Sequence, residues 1–531
     1  VTVDPRVRIA LDLGSATASA ALIGPVDGRR RLLGSLALPA GVDEDLLVGH
    51  LAERVRAGDP GLAERLGIDR AAALLAPRLV VRSARPPLLA VLAPTVRARA
   101  AVEAIAGLAG WRTRGASLDP DGPVGLTAAA LGEGVRAVAV AGETATSREE
   151  TAALAELASV VAGIAARPGA PPVVLVGELT RDELVGKVGI GRAEGPVFAP
   201  GPEAGEPAGE PLRRLLDRLD PADLDSRRAI VRALLELAVI LDRRIELVEI
   251  GLEGGLRAVV GPTGLEAPAV LAPAAGLAPA ELDDDGVDEV LAWSTVALDR
   301  HRMRDRLREL RQSPWVEAHG DGARLRLAAA RAAVTRLVRA TPWLDALPAP
   351  DLIVVAGGAW AAAPGPAIAL AIADVVRRPG VSQLAFDHAR LLGPLGAEPD
   401  PAERRALVAE LVDDLLVPLG SVIVPQGFRA GRSAGRLTVR GTSGETELEL
   451  VPGGLQLVDL PPGEVAIADL RFRDPVGLGA RGRRLSVEVG GGLGGLLVDL
   501  RDVPLRLPDR AERRRAMLQA WQDAFWAGHD G

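Results

Sequence analysis

Residues 7–25 read VRIALDLGSATASAALIGP: an apolar run closing on Asp12, a Gly14-Ser15 turn, and a second apolar run. Two short β-compatible segments around small, turn-competent residues predict a strand, a tight turn and a returning strand. The stretch Arg243 to Pro262, RRIELVEIGLEGGLRAVVGP, repeats it. A shift of 237 positions lays Glu249-Ile250-Gly251 on Asp12-Leu13-Gly14 and Gly261-Pro262 on Gly24-Pro25. A second correspondence is read between Val138–Thr144 (VAVAGET) and Ile353–Ala359 (IVVAGGA), each preceding a helix. The expectation is a duplicated α/β fold, each half carrying an early acid-bearing hairpin and a later strand-Gly-helix unit.

The intervening chain fits that class. Apolar segments at 30–39, 79–93, 135–140 and 173–176 alternate with helical patterns at 43–56, 95–108 and 149–165, as in sheets faced by helices. A Pro, Gly and Glu rich loop is expected at 196–211, and helices at 226–241, 299–312 and 324–339. From about residue 419, alternating runs such as LTVRG, TELELV and LSVEVGG predict antiparallel β structure. The last segment, 509–527, is an amphipathic helix whose Leu518, Trp521, Phe525 and Trp526 form one stripe, expected to pack back onto the body. The domains are drawn as an N-terminal lobe at 1–242, a second lobe at 243–416, a β-rich domain at 417–508 and the closing helix at 509–531.

Composition narrows the function. The 531 residues, 48% hydrophobic and 25% charged, can bury more than one core. A net charge of −8 argues against general nucleic-acid binding, which needs an excess of cations. The absence of cysteine excludes disulfides, zinc thiolate sites and cysteine nucleophiles. Lys187 is the only lysine, so 61 of the 62 basic residues are arginine, and Asn and Tyr are absent, the imprint of a GC-rich genome. No apolar stretch reaches membrane-spanning length, and residues 1–10 lack the features of a signal peptide, so the expected location is cytoplasmic, with no membrane partner.

Two acidic hairpins facing each other suit a nucleotide and its metal. Asp12 and Glu249 would stand on either side of the phosphates, Gly14-Ser15 and Gly251 would offer backbone amides, and Gly357-Gly358 would let the chain approach an adenosine. No Walker A loop, dinucleotide-binding glycine triplet or nucleophile elbow is present. Phe386-Asp387-His388 lacks the Asp-x-His spacing of a cobalamin-binding signature, the five histidines make no ligand pair, and Lys187 in VGKVGIG reads as loop.

These motifs resemble the MutL family of glutamate mutase accessory proteins, members of the actin, Hsp70 and sugar-kinase ATPase superfamily that are unrelated to mismatch repair. DLGSATASA at 12–20 resembles the first phosphate motif, LVEIGLEGG at 247–255 the second, and IVVAGGAW at 353–360 the adenosine motif. VEVGGGLGGLLVDLRDVPLRLP, with Asp499, Arg501 and Pro504, is the most family-specific string. The resemblance implies an α/β, duplicated actin-like (RNase H-like) two-lobed ATPase fold with a C-terminal antiparallel β domain. It also implies ATP and Mg2+ as cofactors and a protein partner, an adenosylcobalamin-dependent mutase. On it, Asp12 would hold magnesium, Ser15 and Thr17 would bond phosphate, and Glu249 or Asp299 would orient a water.

The departures matter equally. Ala16, Ala18 and Ser19 replace the Thr, Thr and Lys of the family's first motif, and Leu252 and Glu253 replace hydroxyl residues of its second. Glu253 adds negative charge where an anion would bind. The expected activity is a weak ATPase at most. The reading is a nucleotide-binding accessory protein with degenerate motifs; the alternatives are a non-catalytic scaffold or pseudo-ATPase, and a small-molecule kinase of the same fold.

Overall fold

A computed structural model describes residues 4–83, 87–109, 111–142, 147–177, 197–198, 209–219, 226–267, 269–279, 282–314, 320–361, 363–427, 432–442, 444–501 and 505–526. The chain forms two compact units. One comprises residues 1–84, 224–269 and 274–531; the other comprises 85–223 with 270–273.

In the first unit, strands β1 (Arg8–Leu13), β2 (Thr17–Val26) and β3 (Arg29–Pro39) form an antiparallel meander, and β4 (Arg78–Arg82) lies parallel to β1, giving the order β3-β2-β1-β4. Asp27 and Gly28, both at positive φ (49° and 84°), make the tight β2–β3 turn. Helices α1 (Glu44–Gly58), α2 (Pro60–Leu66) and α3 (Arg70–Leu75) follow, each started by an aspartate, Asp43, Asp59 or Asp69, that accepts backbone N–H bonds of the first turn. Leu47, Leu51 and Val55 of α1 bury against Ile9, Leu11 and Leu22.

The second sheet repeats this plan. Strands β10 (Ile245–Ile250), β11 (Gly255–Gly261) and β12 (Gly264–Leu265) form the meander; β14 (Leu352–Ala356) is parallel to β10, and β15 (Gly380–Phe386) is parallel to β14. The order β12-β11-β10-β14-β15 is the 3-2-1-4-5 arrangement of RNase H-like sheets. The 237-residue shift holds at the level of register: Asp12 pairs with Ser19, and Glu249 with Leu256. The fold is therefore α/β, a duplicated actin-like arrangement. Around the second sheet lie α8 (Ser226–Leu241), α9 (Asp284–Trp293), α10 (Arg300–Gln312), α11 (Gly320–Arg339) and α12 (Gly365–Val375), whereas α13 (Leu392–Gly396) packs on β1 and β4 of the first sheet, and α14 (Pro401–Glu410) and α15 (Val412–Leu415) bond β3 through Glu410 and Asp414. Strands β10, β11 and β14 are almost wholly buried, as expected of a sheet covered on both faces.

The β-rich segment divides. Strands β16 (Val417–Val424), β22 (Leu496–Asp499) and β19 (Leu455–Val458) extend the second sheet beyond β15. Strands β17 (Gly435–Gly441), β18 (Gly444–Leu450), β20 (Val465–Leu478) and β21 (Ala480–Gly490) form a separate antiparallel sheet. Alternate residues of β20, including Ala466, Ala468, Leu470 and Phe472, enter the core. In the closing helix, α16 (Ala511–Trp526), Leu518 is buried and Trp521 lies 4.4 Å under the Arg501 guanidinium. Arg501 is itself paired with Asp374 at 2.7 Å and Asp499 at 2.7 Å, and Arg331 bonds Asp374 at 2.6 Å. Thus Asp499 and Arg501 of the family-specific string form a buried ion network beneath α16; Pro504 and the side chains of Phe525 and Trp526 lie outside the described residues.

The second unit is a parallel sheet of β5 (Leu88–Ala93), β6 (Arg112–Ser117), β7 (Val135–Gly142), β8 (Val173–Gly177) and β9 (Val197–Phe198) in the order β6-β5-β7-β8-β9. Helix α4 (Val96–Leu108), with α7 (Glu210–Leu219), packs on one face, where Val102 and Leu216 meet Leu89 and Val91. Helices α5 (Leu118–Ala130) and α6 (Arg148–Ala165) pack on the other. Short strand β13 (Val270–Ala272) runs beside α4.

Three expectations are corrected here. The run 79–93 is two strands, β4 and β5, in different sheets. The VAVAGET strand is β7 of the second unit, so the counterpart of β14 in the first sheet is β4, parallel to β1 as β14 is to β10. The segment 1–242 does not form one lobe, because residues 85–223 fold around a core of their own. Lys187 and most of the 196–211 loop lie outside the described residues.

Candidate functional site

The two hairpins turn in the same way. The Gly14 amide donates to the Thr17 carbonyl at 2.9 Å, and the Gly251 amide, 237 positions on, donates to the Gly254 carbonyl at 2.8 Å. Both turns carry their acids one residue before the strand ends: Asp12 on β1 and Glu249 on β10, each half-buried. The start of α8 supplies a partner to each. Ser226 Oγ donates to Asp12 Oδ1 at 3.5 Å, and Arg227 Nε stands 4.0 Å from Glu249 Oε2.

The third acid of the cleft is Asp387, which follows β15. Buried, it accepts the amides of Leu391 at 2.9 Å and Leu392 at 3.2 Å, so the chain folds back on itself into α13. That turn places Arg390 at φ +53°, a left-handed conformation that costs a non-glycine residue about 1 kcal/mol or more. The strain carries the Arg390 side chain into the cleft, where it is 7% exposed. Its Nη1 donates to the Thr17 carbonyl at 3.5 Å. Burial lowers its pKa, while the charges of Asp12, Asp387 and Glu249 act to hold it protonated. Burial pushes Asp387 up to about 7; the Leu391 and Leu392 amides pull it down, Asp12 raises it further and Arg390 opposes.

Asp12 and Glu249 thus converge on one place, and the place is filled by a guanidinium. A Cβ added to Gly358 would stand 3.2 Å from Arg390 Nη2, 3.2 Å from Thr17 Oγ1 and 3.7 Å from Ala16 Cβ, so the first hairpin meets the exit of β14. Gly357, at φ +100°, is required by its own fold: a Cβ there would lie 2.3 Å from the Ile250 carbonyl and 2.8 Å from Glu249 Oε1. The Gly358 carbonyl accepts from Arg326 Nη2 at 2.9 Å, and Arg326 Nε donates to the Ala359 carbonyl at 3.0 Å. Burial and the neighbouring Arg390 charge lower the Arg326 pKa to about 10.

Other sequence-predicted residues lie apart from this cluster. Ser15 is exposed. Thr17 is buried and its hydroxyl makes no hydrogen bond among the described residues. Asp299 caps α10, accepting the Arg302 amide at 2.8 Å; that amide lowers its pKa, and the side chain is 59% exposed. This explains Asp299 as a helix start. Glu253 is held by Arg311 at 2.6 Å.

A magnesium triphosphate does not fit this arrangement. The turn amides of Gly14 and Gly251 are engaged within their own hairpins, Gly358 touches the opposite hairpin, and a cation already stands among the carboxylates. Behind Gly358, by contrast, lies a cavity of about 250 Å³ lined by Arg326, Leu327, Ala359, Trp360, Pro364 and Gln522, among others. The Trp360 indole N–H beside it is buried and makes no hydrogen bond among the described residues.

Sequence reasoning set Asp387 aside with the Phe386-Asp387-His388 string and missed Arg390. The available signal was a third apolar strand ending in an acid, LAFD at 384–387, like the endings at Asp12 and Glu249.

No family model and no curated protein sequence matches the chain. Among solved structures it is similar to the activator of the 2-hydroxyisocaproyl-CoA dehydratase from Clostridium difficile with bound ADPNP, at 10% identity over 76% of this chain and 94% of that one, TM-score 0.28. It is also similar to acetone carboxylase in a nucleotide-free structure, at 13% identity over 84% and 81%, TM-score 0.29. A third is the PilM–PilN type IV pilus biogenesis complex, at 13% identity over 76% and 98%, TM-score 0.24. The fold assignment rests on strand order and register within the chain. No helix among the described residues is long and apolar enough to cross a membrane.

Proposed function

We propose that this chain is a MutL-like accessory protein of an adenosylcobalamin-dependent mutase in which the nucleotide cleft has become an internal ion cluster: a pseudo-ATPase scaffold that acts by binding a protein partner. The observation that carries this is Arg390, whose buried guanidinium lies in electrostatic reach of Asp12, Asp387 and Glu249. A fixed internal cation does the neutralising work that a metal ion performs at a phosphate site, and it does not leave. The mutase as partner comes from the sequence resemblance alone.

Calorimetric titration of the full chain with ATP and Mg2+ tests the reading. The expected result is no saturable heat and no phosphate release. Saturable binding that Asp12→Ala abolishes would overturn it. Co-purification with the subunits of a cobalamin mutase tests the partner.

A second reading, a nucleotide-binding accessory protein, is favoured by the cavity behind Gly358, whose apolar walls and unbonded Trp360 N–H suit a nucleobase. It requires Arg390 to withdraw, and predicts that Arg390→Ala strengthens ATP binding.

A further inference from the structure

The second unit holds a feature that the cleft of the first does not explain. Its strands, numbered along the unit, run 2-1-3-4-5, so the chain leaves β5 on one side and returns on the other at β7. In doubly wound sheets of this order, ligands settle beyond the carboxyl ends of the strands at that reversal, against the amino terminus of the first helix. Here the first helix is α4, capped by Thr95, whose hydroxyl accepts the Ala98 amide at 3.2 Å. Its first turn carries no acid, although the helix dipole favours one. It carries Arg97 and Arg99 instead.

Ser117 supplies an independent observation. It ends β6, paired in register with Ala93 at the end of β5. The side chain is fully buried, and its hydroxyl makes no hydrogen bond among the described residues. The pleat fixes its direction. A Cβ at Gly115 would run into Arg99 and Glu103 of α4, whereas Ala116 packs in the opposite core with Leu126 and Leu157. Ser117, two residues beyond Gly115, therefore faces α4, displaced toward the helix's first turn. Arg99 Nε is also buried without a hydrogen bond among the described residues; it stands 3.7 Å from Glu103 Oε2, and Arg99 Nη1 stands 3.8 Å from Asp121 Oδ2. Asp121 is engaged by the Ser117 amide at 2.8 Å.

We propose that this end of the sheet binds the phosphate group of a small phosphomonoester. The donors are the Val96 and Arg97 amides at the start of α4, which precede the Ala98 amide taken by Thr95, together with the Ser117 hydroxyl and the guanidinium groups of Arg97 and Arg99. A phosphate offers acceptor oxygens to all of them, and charge-assisted bonds of this kind are the strong ones. The site is independent of the fate of the first unit's cleft.

Titration of the full chain with inorganic phosphate and, separately, glycerol 3-phosphate tests this. Both should bind saturably in the millimolar range or tighter, the monoester more tightly. Ser117→Ala and Arg99→Gln should each weaken binding about tenfold, and Asp12→Ala should leave it unchanged. Tighter binding of free phosphate than of the monoester would overturn the assignment to an ester. Absence of saturation, or wild-type affinity in both variants, would overturn the site. Should Ser117→Ala fail to fold, the exposed Arg97→Gln takes its place, with unchanged affinity in it and in Arg99→Gln counting against the proposal.

Discussion

Arg390 is a buried charge whose removal leaves other charges uncompensated. Replacing it with Met keeps most of the volume and strands Asp12, Asp387 and Glu249 together, which should cost about 3–5 kcal/mol, read as a lower urea midpoint at unchanged slope. Asp387 gives a pH signature. Its folded pKa of about 7 lies above the ordinary aspartate value of 3.8, so between those values the folded state binds more protons than the unfolded one. Its contribution to stability is therefore present at low pH and is lost as pH rises toward 7. Asp387→Asn should gain melting temperature relative to wild type from about pH 5 to pH 8; a difference flat in pH would refute the assignment. Asp387 carries a sequence signal, an acid closing an apolar strand, but Arg390 does not. Arginine makes up nearly all of the basic residues here, so one among 61 carries no mark of its own, and the role of Arg390 depends on its own left-handed backbone, which no pattern announces.

The hairpins were legible because their information is local. Register in an antiparallel pair is set by the turn and by alternating side chains, and a repeated turn at a fixed offset reproduces both. The parallel strands were not legible in the same way. An apolar run of five or six residues states that a strand is buried on both faces and leaves open which sheet receives it, which is how β7 was matched to β14. The wedge α13 belongs to this scale. A Cβ on Gly396 would lie 1.7 Å from the Ala229 carbonyl of α8, backbone that cannot yield, so Gly396→Ala should cost about 3 kcal/mol or more in denaturant unfolding. Gly163, inside α6 with open space around it, gives the contrast: Gly163→Ala should stabilise by about 0.5–1 kcal/mol.

Across the whole molecule, the two units each have their own buried clusters, which predicts separable folding. Residues 85–223 expressed alone should give a cooperative thermal transition, and a chain joining residue 83 to residue 226 through a short Gly-Ser linker should keep the first unit folded; a molten far-UV melt for either would contradict this. Composition could not reveal the insertion, because both units draw on the same Ala, Leu and Val vocabulary and the same strand-helix alternation.

Gly393 sits at the join. A Cβ there would be 3.2 Å from Val81 of β4 and 3.2 Å from Ser226 of α8, the segments on either side of the interruption. On the ribosome, the β1–β4 sheet is therefore synthesised long before the residues that complete it, and some 140 residues must be made in between. If those residues collapse first, they shorten the loop that has to close and lower its entropic cost. The insertion would then act as a timing device, making early folding of the guest a condition for prompt assembly of the host.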